Sequence, residues 1–156
     1  GQFDFKLQLN SNDIYYGTVR REDRYELSIC NPPFHSSLEE AQAGSARKVR
    51  NLTGKKVVNP TLNFGGKNQE LWCDGGEKRF ILNMIRQSSK FKDNFLWFST
   101  LVSKQSHIGA LQASLNQYKP AEVQVIEMGQ GNKVSRILAW SFKSKPEQEF
   151  WLKSNN

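Results

Sequence analysis

The sequence predicts an α/β fold: a parallel sheet with helical crossovers that closes in an antiparallel hairpin. Three observations predict it. Strand-like segments alternate with segments of helical period between Tyr25 and Met128, and such alternation implies right-handed parallel crossovers. The run Phe95–Val102 is apolar almost throughout, as a strand covered on both faces would be. A short Gly-rich turn, Gly129-Gln130-Gly131-Asn132, joins the last two strands, which should therefore be antiparallel neighbours.

The elements follow in order. Phe3, Phe5, Leu7 and Leu9 alternate and predict a first strand. Asn10 to Asp13 supplies turn residues. Tyr25–Cys30 reads as a second strand, stopped by Pro32-Pro33, since proline cannot donate to a ladder. From His35 to Gln69 neither period appears, and a loop this long in a compact domain is typically functional. Asp74 with Glu77 suggests a capping box for a helix whose apolar face is Phe80, Ile81, Met84 and Ile85. Ser106 is a candidate cap for a second helix, carrying Ile108, Leu111, Leu115 and Tyr118 and ended by Pro120. Glu122–Met128 alternates, with Val123, Val125 and Glu127 on one side, and Ser135–Phe142 is the return strand. The tail from Lys143 reads as polar, with one aromatic pair, Phe150-Trp151.

The chain has 156 residues, the length of one domain, and its span 1–156 is read as such. No apolar run approaches the roughly 18 residues of a membrane span, and no signal sequence is evident at the start. Cys30 and Cys73 lie far apart without a CxxC. That spacing supports neither a disulfide framework nor a zinc site, so no metal is expected and a reduced, cytoplasmic compartment fits. The net charge of +7 favours a polyanionic partner, usually nucleic acid.

The candidate for chemistry is Asn31-Pro32-Pro33-Phe34, directly after a strand. Open α/β sheets bind ligands at the carboxyl ends of strands. These residues suit one problem, the poor nucleophilicity of adenine's exocyclic amine. The Asn31 amide oxygen can accept one N–H and the Pro32 carbonyl the other. Acceptors off the ring plane favour a pyramidal nitrogen and free its lone pair. Positive charge grows on that nitrogen during methyl transfer, so fixed acceptors favour the transition state over the ground state. Phe34 can stack on the base, a contact worth roughly 1–3 kcal/mol. No catalytic His or Cys is demanded, and His35 reads as a structural loop residue.

The runs CNPPFHSSLEEAQAGS, LNFGG, ELWCDGGEKRF, FSTLVSKQS, EMGQG and SRILAWSF, in this order, resemble the RlmF family of 23S rRNA adenine-N6 methyltransferases over Tyr25 to Phe142. A eukaryotic relative of that family acts on an adenine of a small nuclear RNA. The resemblance implies the C-terminal portion of a Rossmann-like methyltransferase sheet that uses S-adenosyl-L-methionine. It implies Asn31 to Phe34 as the catalytic motif, with Asn31 also near the donor, and Asp13-Ile14 against the cofactor's adenine. Its target would be an adenine of 23S rRNA or of a ribosomal assembly intermediate. The Gly-rich loop that cradles the cofactor in the family is not found before the motif here. Residues 1–156 are therefore expected to be a partial methyltransferase domain, partnered by an N-terminal segment of the same protein and unable to methylate alone.

The predicted loop over residues 35–69 carries Arg47, Lys48, Arg50, Lys55, Lys56 and Lys67 against Glu39 and Glu40. It is the candidate RNA-binding segment, phosphate contacts supplying salt-dependent affinity. Lys104, after the buried strand, is a further candidate at the rim. Two rival readings stand beside this one. DNA adenine-N6 and protein glutamine methyltransferases also activate a planar nitrogen with an Asn-Pro-Pro-aromatic motif. A non-catalytic RNA-binding half-domain would keep the charge and bind no cofactor.

Overall fold

The computed structural model describes residues 1–33 and 76–154. Two compact units divide the chain: residues 1–31 with 81–156, and residues 32–80. The elements are β1 (Tyr25–Cys30), α1 (Gly76–Ser88), β2 (Phe95–Val102), a 3₁₀ turn (Gln105–His107) running into α2 (Ile108–Gln117), β3 (Glu122–Gln130), β4 (Lys133–Ser141) and α3 (Lys145–Ser154).

Four strands form one sheet in the order β1-β2-β4-β3. β1 and β2 are parallel, with Cys30 opposite Thr100. β4 runs antiparallel to β2 and to β3. The expected mixed sheet with a terminal hairpin is therefore present. Gly131 opens the two-residue turn of that hairpin at φ 61°, a conformation that costs glycine no Cβ clash. α2 ends as its sequence suggests. The chain turns through Lys119 in the left-handed region, φ 53°, and Pro120 follows, which cannot continue a helix.

One face of the sheet holds the core. Phe98, Thr100 and Val102 lie opposite Trp140, Leu138 and Arg136, so these six side chains share that face. Phe98 and Trp140 stack at 5.8 Å, and Trp140 donates from Nε1 to Ser88 Oγ of α1 at 3.0 Å. Of the predicted apolar stripe of α1, Ile81, Met84 and Ile85 are fully buried and Phe80 is half-buried. Tyr15 inserts its ring between Phe91, Phe95 and Phe98 at 5.3–5.6 Å, and its hydroxyl meets Ser28 Oγ of β1 at 3.1 Å. Burial holds the Tyr15 phenol well above its ordinary pKa, against the smaller opposing effect of Ser28.

Three expectations need correction. Phe3–Leu9 forms no strand, and its four apolar side chains are 74–91% exposed. Alternation alone does not make a strand; a ladder partner must satisfy the backbone, and no described strand pairs with this segment. The second helix starts not on a Ser106 cap but through the 3₁₀ turn, with Lys104 in the cap position and no side-chain cap. The tail is helical, α3. Its signal is Ser144-Lys145-Pro146-Glu147, a capping box: Ser144 N–H donates to Glu147 Oε1 at 3.0 Å and Glu147 N–H to Ser144 Oγ at 3.4 Å. Asp74, the expected cap of α1, lies outside the described residues. No helix among the described residues is long and apolar enough to cross a membrane.

Candidate functional site

β1 carries the candidate motif to the carboxyl end of the parallel pair. Its last residue, Cys30, sits opposite Thr100 of β2. Burial pushes the Cys30 thiol up to about 11, with a hydrogen bond to Thr100 working against it. A thiol held protonated at neutral pH is a poor nucleophile. Asn31 follows and is exposed, while Pro32 and Pro33 are buried. Phe34 lies outside the described residues. The strand thus ends where the ladder does, at the proline pair, and delivers an amide side chain to solvent at the sheet's carboxyl edge.

Asp13 and Ile14 are held by their backbone. Asp13 N–H donates to Asn10 O at 3.0 Å, closing a turn. Gln87 of α1, itself buried, clamps the residues around it. Its Oε1 accepts the N–H groups of Ile14 and Tyr15 at 2.9 and 3.3 Å, and its Nε2 donates to Asn12 O at 2.7 Å. Asn83 Nδ2 donates to the same carbonyl at 2.8 Å. The segment is therefore fixed on α1, leaving the half-buried side chains of Asp13 and Ile14 uninvolved in the clamp.

The six basic candidates Arg47, Lys48, Arg50, Lys55, Lys56 and Lys67, like His35, fall outside the described residues. Lys104 is exposed in extended conformation (φ −115°, ψ 122°) at the start of the 3₁₀ turn, two residues past the end of β2. His107, half-buried, ends that turn. A residue that sequence reasoning passed over is Arg136. It stands on the core face of β4, opposite Val102, and is only 4% exposed. An Arg in an alternating strand reads as a solvent-facing residue, so no sequence signal marked it.

Residues 2–144 match a family described as RNA methyltransferase. The chain belongs to this family. Among its relatives are proteins named ribosomal RNA large subunit methyltransferase F. That of Cytophaga hutchinsonii is 48% identical over 97% of this chain and 47% of its own length. That of Flavobacterium psychrophilum is 47% identical over 92% of this chain and 46% of its own length. The chain spans about half the length of these family members. A crystal structure of the hMettl16 catalytic domain in complex with MAT2A 3'UTR hairpin 1 superposes with TM-score 0.62 at 28% identity, covering 81% of this chain and 42% of that one. The N-terminal domain of human METTL16 in complex with SAH shares the fold, with TM-score 0.51 at 21% identity over 81% of this chain and 37% of that one.

Proposed function

We propose that the protein containing this chain transfers a methyl group from S-adenosyl-L-methionine to N6 of an adenine in 23S rRNA. The observation that carries the reading is the exposed Asn31 at the carboxyl edge of a parallel strand pair, ahead of a rigid proline pair, in a chain of an RNA methyltransferase family. The names of the relatives favour large-subunit rRNA, and a protein of the same fold has been solved with SAH.

Asn31 presents its Oδ1 to one N–H of a target amine, and the Pro32 carbonyl accepts the other. A side-chain amide fixed at a strand end and a carbonyl locked by two prolines need little reorganisation as charge grows on the nitrogen, so their dipoles act mainly in the transition state. Phe34 would stack on the extruded base, and a single-stranded target lowers the cost of extrusion. The cofactor supplies an electrophilic methyl on a sulfonium. Among the described residues Asn31 and Asp13-Ile14 are the fitting contacts: the first is an exposed amide, the second a half-buried carboxylate and apolar pair whose backbone is already held by Gln87. The cofactor's methionine portion falls to the share of the relatives' length that this chain does not span. That share is the companion segment, without which methylation is not expected. Arg47, Lys48, Arg50, Lys55, Lys56, Lys67 and Lys104 would serve the RNA phosphates. A cytoplasmic location follows from the substrate.

The test uses the full-length protein with 23S rRNA and mass spectrometry of nucleosides. Asn31→Ala should lower methyl transfer about 10²–10³-fold, the usual effect of removing one polar contact to developing charge, with cofactor affinity altered far less. Unchanged turnover, or methyl groups recovered on DNA or protein in place of rRNA, would overturn the assignment.

A further inference from the structure

Arg136 is a buried cation whose needs the protein leaves partly unmet. Nη1 donates to Val102 O at 3.4 Å and Nη2 to Val134 O at 3.1 Å, while Nε is buried with no partner. Both contacts are to carbonyls. The carboxylate nearest in register is Glu127, directly across on β3, yet no ion pair joins the two; the guanidinium turns instead towards the last carbonyl of β2. An unpaired buried charge costs several kcal/mol in a typical protein, so its retention calls for a compensating anion.

A second observation lies at the same place. Val102, which receives Arg136, is two residues before Lys104, and there the 3₁₀ turn and α2 begin without a side-chain cap. His107 N–H returns to Lys104 O. The N–H groups of Gln105 and Ser106 have no partner among the described residues, and both residues are exposed, as is Lys104 before them. Uncapped N–H groups and the positive end of a helix favour an anion. β1 leads to β2, and β2 to β3, in the same direction across the sheet. Right-handed crossovers then place α1 and α2 on one face, the face that carries Arg136.

The register locates this rim relative to Asn31. Cys30 is opposite Thr100, and Thr100 is opposite Leu138, two residues from Arg136. Two strand spacings separate β1 from β4, so the backbones of Asn31 and Arg136 lie about 10 Å apart along one sheet edge.

We propose that the carboxyl end of β2 is a phosphodiester-binding subsite, built from the Gln105 and Ser106 N–H groups, the Lys104 ammonium and the Arg136 guanidinium behind them. Its ligand is the phosphate flanking the target nucleotide of the RNA, so the inference rests on the methyltransferase reading and adds the anchor for the strand. Exposed groups make the contacts. Arg136 acts as a positioning residue through its field, which low-dielectric surroundings screen little.

The experiment titrates the full-length protein with a single-stranded 23S rRNA fragment at several salt concentrations, alongside thermal melts and rRNA methylation. Lys104→Ala should weaken binding and lower the salt slope by about one. Gln105→Pro removes a single N–H at a position where proline is tolerated; affinity should fall several-fold with the melt unchanged. Arg136→Met should lose about tenfold in RNA affinity and keep cofactor affinity, and Arg136→Lys should recover most of the loss. The proposal is overturned if Arg136→Met shifts only the melt, or if Lys104→Ala and Gln105→Pro bind RNA as the wild type does. Should Arg136→Met fail to fold, those two variants still decide. A wild-type protein that binds RNA through this rim but does not methylate it refutes the methyltransferase reading and not the subsite.

Discussion

The two faces of β1 live in different surroundings. On one, Ser28 binds Tyr15, which is wedged among Phe91, Phe95 and Phe98 in the core under α1. On the other, Leu27 is exposed and Ile29 is 80% exposed, and Phe3–Leu9 leaves its apolar residues equally bare. The apolar residues of β1 itself, Tyr25, Leu27 and Ile29, alternate onto the bare face, and no described element covers them. The contrast teaches that a strand pattern specifies a face, while burial depends on the partner that meets it. Bare apolar residues on the outermost strand of the described sheet are what a surface awaiting cover looks like.

The contrast can be broken from the covered side first. Trp140→Ala removes the ring stacked on Phe98 and the hydrogen bond to Ser88. It should cost about 3–5 kcal/mol in urea unfolding; a loss under 1 kcal/mol would mean that this face is not the core. Gln87→Ala leaves the N–H groups of Ile14 and Tyr15 to find new partners, while the Asn12 carbonyl keeps only Asn83. About 2–3 kcal/mol should be lost, with faster amide exchange at Ile14 and Tyr15 than elsewhere.

A smaller effect is pH-dependent. Hydrogen bonds from Gln148, then Gln124 and Lys145, hold the Glu122 carboxyl below its ordinary 4.5. A lowered folded-state pKa gives a stabilisation that is complete above the unfolded value and disappears as pH falls through the folded one. The tie between α3 and β3 should therefore loosen only in acid. Wild type and Glu122→Gln should melt apart at neutral pH and converge below about pH 4; a constant gap would argue against the link. The smallest effect belongs to the bare side. Ile29→Thr should change the stability of this chain by no more than about 0.5 kcal/mol. The same substitution should cost clearly more in the full-length protein if the companion segment covers that face.

Much of this was legible in the residues. Tyr25–Cys30 and Phe95–Val102 form strands over the spans their sequences indicate, because apolar runs bounded by prolines, charges and turn residues leave few alternatives. The closing hairpin was legible from its glycines. Phe3–Leu9 misled because alternation is silent about pairing. α3 was missed because a charged, polar segment hid the Ser144–Glu147 box. At the site, Asn31 stood out because a strand followed by two prolines is unusual. Arg136 and the Gln87 clamp stayed hidden, since each depends on contacts between residues remote in sequence, Arg136 with Val102 and Gln87 with Asn12, Ile14 and Tyr15.

The strand order carries a consequence for how the molecule assembles. β2, β3 and β4 come from neighbouring stretches of chain, and the β3–β4 ladder zips from a two-residue turn. β1 must instead find β2 across about 70 residues, Tyr25 against Phe95. Closing so large a loop carries an entropy cost that local pairing avoids and slows the search. The hairpin and β2 should therefore form the nucleus, with β1 the last strand to dock and the first to leave. The segment bearing Asn31 would then become ordered only after the rest of the sheet is in place.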